Sequence, residues 1–288
     1  MLNSMNNGYA KPVLVSTGWL AEHLGDEGLV VAEVDENPDL YDEGHIPGAV
    51  KLHWKEDLQD PVERDIVDRE TFERVLGERG IGNGTTVVLY GDKNNWFAAY
   101  GYWYLKVYGH GDVRILDGGR QKWIDEGREV TTKTPSPQPA EYTAEERDES
   151  IRAYRGQVQE WLGADARALV DVRSPAEYAG ELIAPPGYEQ EGAQRAGHIP
   201  TAVSIPWASA VRDDGTFKSA EELGELYGER AVTSDKEITA YCRIGERSAH
   251  TWFVLRELLG YERVRNYDGS WTEWGNLVDV PIEKGAGA

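Results

Sequence analysis

Gly44-His45-Ile46-Pro47-Gly48-Ala49-Val50 returns later in the chain as Gly197-His198-Ile199-Pro200-Thr201-Ala202-Val203. A second pair follows in the same order. Val113-Arg114-Ile115-Leu116-Asp117-Gly118-Gly119 is answered by Val264-Arg265-Asn266-Tyr267-Asp268-Gly269-Ser270, and Trp123 by Trp274 at the same separation. Two pairs in one order identify a duplicated domain. Each half alternates short β-branched runs with amphipathic stretches. Residues 29–34, 86–90 and 113–116 read as strands in the first half, with helices over 68–79 and 95–107. The second half offers strands at 168–172, 237–241 and 264–267, with helices near 153–162, 219–230 and 248–259. Phe72, Val75 and Leu76 fall on one side of the helix after Asp68, the stripe that packs on a sheet. The alternation predicts an α/β fold of two domains, each a central, mostly parallel β-sheet flanked by helices.

Between the halves, residues 131–139 read TTKTPSPQP. Their prolines remove backbone donors and favour extended chain. This composition predicts a first domain over residues 1–130, a linker over 131–142 and a second domain over 143–288. The chain's 288 residues suit two domains, and ten tryptophans with fifteen tyrosines can fill two cores. Thirty basic against fifty-one acidic side chains give a formal net charge of −21, which repels polyanions. No basic stripe offsets it, so no nucleic-acid partner is expected. A single cysteine excludes an intramolecular disulfide and suits a reducing compartment. With no signal-like segment and no apolar run of bilayer length, the expectation is a soluble cytoplasmic protein with no membrane partner.

That cysteine opens the run Cys242-Arg243-Ile244-Gly245-Glu246-Arg247, directly behind the strand over 237–241. Ser248 follows as the expected cap of the next helix. Loop amides and a helix start would face whatever occupies the loop, Gly245 would permit its curvature, and Arg243 and Arg247 would add positive charge. Such a cradle is expected to lower the thiol pKa. Two chemistries use a cysteine in this setting. Cysteine phosphatases space Cys and Arg by five residues, whereas Arg247 gives a spacing of four. The shorter ring suits one sulfur atom held as a persulfide better than a phosphate. Carrying the register of the later repeat backwards sets Tyr90-Gly91-Asp92-Lys93 opposite Tyr241-Cys242-Arg243-Ile244. Gly91 thus stands where the second half has its thiol, so covalent chemistry is expected in the second half alone.

The duplicated plan, both GHIP segments, the CRIGERS loop and Asp268-Gly269-Ser270-Trp271 together resemble a tandem-domain rhodanese, a thiosulfate sulfurtransferase. The resemblance spans nearly the whole chain. It implies two rhodanese-like domains, of which only the C-terminal one is catalytic. It further implies a two-step reaction in which the Cys242 thiolate takes the outer sulfur of thiosulfate, releases sulfite and passes sulfur to cyanide, a thiol or another thiophilic acceptor. Cys242 would be the catalytic residue. Arg243, Ile244, Gly245, Glu246, Arg247 and Ser248 would bind the anionic donor. Small neutral residues follow the cysteine in the mercaptopyruvate-using branch, so Arg243 favours thiosulfate. A 3-mercaptopyruvate sulfurtransferase and a persulfide carrier or interaction protein are the alternatives.

The chain departs from the pattern at Glu177, where some members carry a substrate-holding arginine. Asp171 and Arg173 in the same segment are candidate supporting residues, equally readable as a salt bridge fixing a turn. His45 and His198 repeat in both halves and therefore read as architecture. His250, just after the loop, is either a base or packing. Trp274 has a repeat mate and reads as core, while Trp207 and Trp271 are weaker candidates for lining a pocket. Residues 181–195 form an insertion without a counterpart in the first half. No metal-ligand spacing and no Walker or Rossmann glycine pattern occurs, so neither metal nor cofactor is expected.

Overall fold

The computed structural model describes residues 7–188 and 192–285, and these divide into two compact units. The first holds residues 12–148 and 211–217; the second holds 7–11, 149–188, 192–210 and 218–285. In the first, strands β1 (Leu14–Val15), β2 (Leu29–Glu33), β3 (Val50–Lys51), β4 (Thr86–Tyr90) and β5 (Val113–Leu116) form one sheet in the order β1-β5-β4-β2-β3. Helices α1 (Thr17–His23), α2 (Leu40–Glu43), α3 (Arg69–Glu78), α4 (Asp92–Val107) and α5 (Gly119–Asp125) alternate with these strands. The second unit carries β6 (Arg167–Asp171), β7 (Val203–Ser204), β8 (Glu237–Tyr241) and β9 (Val264–Asn266) in the order β7-β6-β8-β9. Its helices are α6 (Arg155–Glu160), α7 (Pro175–Ala179), α8 (Ala220–Gly228), α9 (Glu246–Phe253) and α10 (Ser270–Trp274), with a π-helical turn, Val254–Leu258, continuing α9. Every strand pair in both sheets is parallel. The expected α/β architecture is present twice.

Local sequence explains the elements that place the site. Val87 to Tyr90 in β4 and Ile238 to Tyr241 in β8 are buried throughout, as a strand covered by helices on both faces requires. Asp68 starts α3 by accepting the Thr71 amide, and a reciprocal Ser219–Glu222 box starts α8, each cap contributing about 1 kcal/mol. Phe72, Val75 and Leu76 are the buried stripe of α3. Residues 131–148 pack within the first unit: the Ala140 amide donates to Gly77 O at 2.9 Å, and Arg147 Nη1 to Asp65 Oδ2 at 2.8 Å.

The two GHIP turns are one device used twice. Each histidine stacks on a tyrosine, His45 on Tyr41 at 3.8 Å and His198 on Tyr178 at 3.7 Å, and its Nδ1 lies 2.8 Å from that tyrosine's carbonyl. The next amide donates to the last tyrosine of the central strand, Ile46 N to Tyr90 Oη and Ile199 N to Tyr241 Oη. The stacked histidine fixes each turn, and the amide after it ties the turn to the strand that leads into Gly91 or Cys242. Both loops leave the carboxyl ends of parallel strands, where open α/β sheets place their ligands.

Candidate active site

Cys242 is the first residue after β8 and is 0 % exposed. Its amide donates to Ser270 Oγ at 3.0 Å. The carbonyls of the loop are turned outward by the start of α10: Trp271 N donates to Cys242 O, and Thr272 N and Oγ1 to Arg243 O. Gly245 O is held by Asn266 Nδ2 at 3.0 Å. With the carbonyls tied, amides face inward. Gly245 N–H donates to the Cys242 sulfur at 3.1 Å, and Ile244 N–H to Glu246 Oε2 at 3.2 Å. Gly245 has φ +102°, and a Cβ there would stand 2.7 Å from Asp268 Cα, so the turn requires glycine.

The thiol itself donates to Glu246 Oε2 at 3.1 Å, and Ser248 Oγ lies 3.6 Å from the sulfur. The surroundings of Sγ are thus buried but polar. Burial, then the Glu246 carboxylate, push the thiol pKa up, and Arg247 with the Ser248 amide only partly oppose them. This corrects the expectation of a lowered thiol pKa: the neighbouring arginines are visible in sequence, but the burial and the carboxylate folded back onto the sulfur are not. The helix also begins earlier than expected. Gly245 is the cap of α9, and Ser248 instead sits in its first turn, 2.6 Å from Asn266 Oδ1.

Both arginines of the loop face carboxylates. Arg247 makes a two-pronged pair with Glu177 of α7, at 2.9 and 3.1 Å, with both side chains buried. Burial opposes charge on either partner, yet their mutual attraction prevails, holding the Glu177 carboxyl below its ordinary range and the guanidinium protonated. Glu177 also accepts the Ser174 amide and hydroxyl, closing the capping box of α7. Glu177, expected from sequence to stand in place of a substrate-holding arginine, therefore fixes a loop arginine. Arg243 lies 3.7 Å from Glu246 Oε1 and stacks over the Tyr188 ring at 4.7 Å. Tyr188 belongs to the 181–195 insertion, and Arg195 at its far end bonds to the carbonyls of Trp274, Gly275 and Leu277. Glu189, Gln190 and Glu191 of that insertion lie outside the described residues.

Asp171 and Arg173 form a fully buried pair at 2.6 Å, Arg173 donates to Gly197 O, and Asp171 accepts from Tyr241 Oη. They join β6, the second GHIP turn and β8 beneath the loop. His250 is buried in α9, edge-on to Trp207 at 5.1 Å, and burial pushes its pKa down to about 3, leaving the imidazole neutral. Trp271 and Trp274 are core residues, their indole N–H groups bonded to Arg195 O and Pro281 O. Ser270 and Asn266, which shape the cradle, lie inside the repeated segment 264–270, but sequence assigns them no role at the site because their counterparts in the first half are Gly119 and Ile115.

The corresponding loop of the first unit is closed on itself. A Cβ on Gly91 would stand 2.1 Å from Val34 O, so no side chain fits there. Asn95 fills the space, accepting the Gly91 amide at 3.0 Å and donating to Leu116 O at 2.7 Å. Lys93, Asn94 and Asn95 carry positive φ, 44°, 58° and 64°, so regular helix begins only after them. Asp92, its pKa pushed up to about 6 by burial, accepts the Glu36 amide at 2.8 Å.

A parallel-sheet domain repeated twice, with a cysteine cradled by amides at the end of a central strand, defines the class. The model of the rhodanese-like domain matches residues 16–126 and 155–277, and the chain belongs to the rhodanese family of sulfurtransferases. It is 60% identical to a "Putative thiosulfate sulfurtransferase" of Saccharopolyspora erythraea, over 94% of this chain and 96% of the relative. It is 61% identical to the sulfur carrier protein TtuD of Thermus thermophilus, over 96% and 99%. Among solved structures it is similar to EanB in complex with hercynine, with a TM-score of 0.83 and 27% identity over 95% of this chain and 69% of that one. An EanB variant with ergothioneine covalently linked to a persulfide cysteine gives a TM-score of 0.81, with 27% identity over 95% and 70%. No helix among the described residues is long and apolar enough to cross a membrane.

Proposed function

We propose that this chain moves sulfane sulfur from thiosulfate to cyanide or another thiophilic acceptor through a persulfide on Cys242. The observation that carries the reading is the position of Sγ, which receives the Gly245 N–H and lies beside Ser248 and Glu246, whose carboxylate is 3.7 Å from both Arg243 and Arg247. A persulfide anion on this sulfur would gain from the inward amides as a resting thiol does not. Arg243, whose pairing with Glu246 is long, is the guanidinium best suited to follow the sulfonate of the donor as sulfite leaves. Arg247, engaged by Glu177, orders the loop. Sulfur transfer through the second unit makes the first, residues 1–130 in the sequence, a non-catalytic partner domain. No metal or cofactor is needed for this exchange.

A second reading is favoured by the likeness to a sulfur carrier protein: Cys242 loads sulfur and delivers it to a protein acceptor. Steady-state assays separate the two. Release of sulfite and thiocyanate from thiosulfate and cyanide, lost in Cys242→Ser, is the expected result. Fast loading with slow discharge to cyanide favours the carrier, and full turnover by the serine variant refutes both. Preference for 3-mercaptopyruvate in a parallel assay would overturn the choice of donor.

A further inference from the structure

The thiol at the centre of the cradle is poorly acidic, yet it must lose its proton to attack a sulfur donor. Glu246 is the group that meets it. Its Oε2 accepts the thiol hydrogen at 3.1 Å and the Ile244 amide at 3.2 Å, so the carboxylate is oriented on the sulfur by the loop backbone itself. Its other oxygen, Oε1, is buried without a hydrogen bond and is 3.7 Å from both Arg243 Nη2 and Arg247 Nε. Among the described residues, the charged groups near this pair are Arg243, Arg247 with its partner Glu177, and Asp268 with its partner Arg152. The two arginines are cations and not bases, Glu177 is engaged by Arg247 and Asp268 by Arg152, so Glu246 is the carboxylate that meets the thiol.

We propose that Glu246 is a catalytic residue, the proton acceptor when Cys242 takes sulfur and the proton donor when it gives sulfur up. The inference rests on the reading that Cys242 carries the transferred sulfur. In the first half-reaction, Sγ forms a bond to the outer sulfur of thiosulfate while the donor's S–S bond breaks and its electron pair leaves with sulfite. The thiol proton passes to Glu246 Oε2 and stays there while sulfite leaves. In the second, the acceptor's lone pair bonds the outer sulfur of the persulfide and the Cys242 sulfur leaves with the S–S electron pair. A proton from Glu246 then restores the thiol. The sulfur moves as a neutral atom, so no external oxidant or reductant enters. A carboxylate 3.1 Å from Sγ also explains why one proton is kept by the pair: two adjacent anions would repel each other, and the proton can cross between them without solvent.

The test is the pH dependence of single-turnover sulfur loading from thiosulfate, read by intact mass in Glu246→Gln and Glu246→Asp, together with the pH dependence of Cys242 alkylation. Wild type should load at a rate nearly independent of pH around neutrality. Glu246→Gln should load on the order of 100-fold more slowly near pH 6, and its rate should climb about tenfold per pH unit as hydroxide takes over proton removal. Its alkylation midpoint should nonetheless shift to lower pH, because the repelling carboxylate is gone. Glu246→Asp, retaining a base, should keep the flat profile at reduced rate. Wild-type rate and profile in Glu246→Gln, or the same pH-independent loss in both variants, would overturn the proposal. If wild type loads no sulfur at all, the functional reading fails instead. The alkylation profiles still report whether Glu246 holds the thiol proton, and coincident wild-type and Glu246→Gln midpoints overturn that.

Discussion

Replacing Glu177 with Gln keeps the shape of the α7 capping box but leaves Arg247 without its anionic partner. The pair is buried, with side chains 1 % and 5 % exposed, and bonded at 2.9 and 3.1 Å. Removing one member of such a pair costs about 3–5 kcal/mol, because the remaining charge stays desolvated. A unit of this size would lose on the order of 10 °C in Tm. The effect carries a pH signature. Glu177 is held below its ordinary carboxyl value of 4.5, so its ion pair stabilises the fold fully above that value and loses its contribution as pH falls through the lowered, folded-state pKa. Wild type should therefore lose its advantage over Glu177→Gln in acid and regain it above about pH 5. Arg247, released toward Glu246 and the sulfur, should at the same time move Cys242 alkylation to lower pH. Urea unfolding from pH 3 to 8 and iodoacetamide titration measure the two halves. A loss under about 1 kcal/mol at pH 7, with an unmoved alkylation profile, would refute the assignment of Glu177 as the anchor of the loop.

Arg243→Ala should lower kcat/KM for thiosulfate by about 10- to 100-fold, the worth of a charge-assisted contact, with little change in melting temperature. Unchanged kinetics would remove Arg243 from donor binding. Gly91→Cys should destabilise the first unit by about 3 kcal/mol, since its Cβ meets Val34 O, and its new thiol should load no sulfur. A stable variant that takes up a second sulfur atom would contradict the account of that loop as closed.

The fold was legible where burial leaves a long signature. Residues 86–90 and 237–241 are buried on both faces beyond their first residue and are legible to the residue, and Phe72, Val75 and Leu76 mark the packed face of α3. Strands β1, β3 and β7 are two residues each, too short to express any period, and they exist because a neighbouring strand lends them hydrogen bonds. The loop around Cys242 was legible as a motif, and Gly245 as its bend. The charge balance within it was not. Glu177 and Arg247 are 70 residues apart and meet only because α7 and α9 both start at the carboxyl ends of parallel strands. Glu246, adjacent in sequence, looks like an ordinary acidic first-turn residue of a helix; its reach back to Sγ depends on the left-handed Gly245. The sign of the Cys242 pKa shift follows from these two contacts and from burial.

The central claim is that sulfur is carried by one atom, the Sγ of Cys242. Peptide-resolved mass spectrometry after exposure to thiosulfate tests it directly. The peptide containing Cys242 should gain the mass of one sulfur and lose it on addition of cyanide, while Cys242→Ser gains nothing. An unmodified wild-type peptide, or a sulfur adduct that persists in the serine variant, would contradict it.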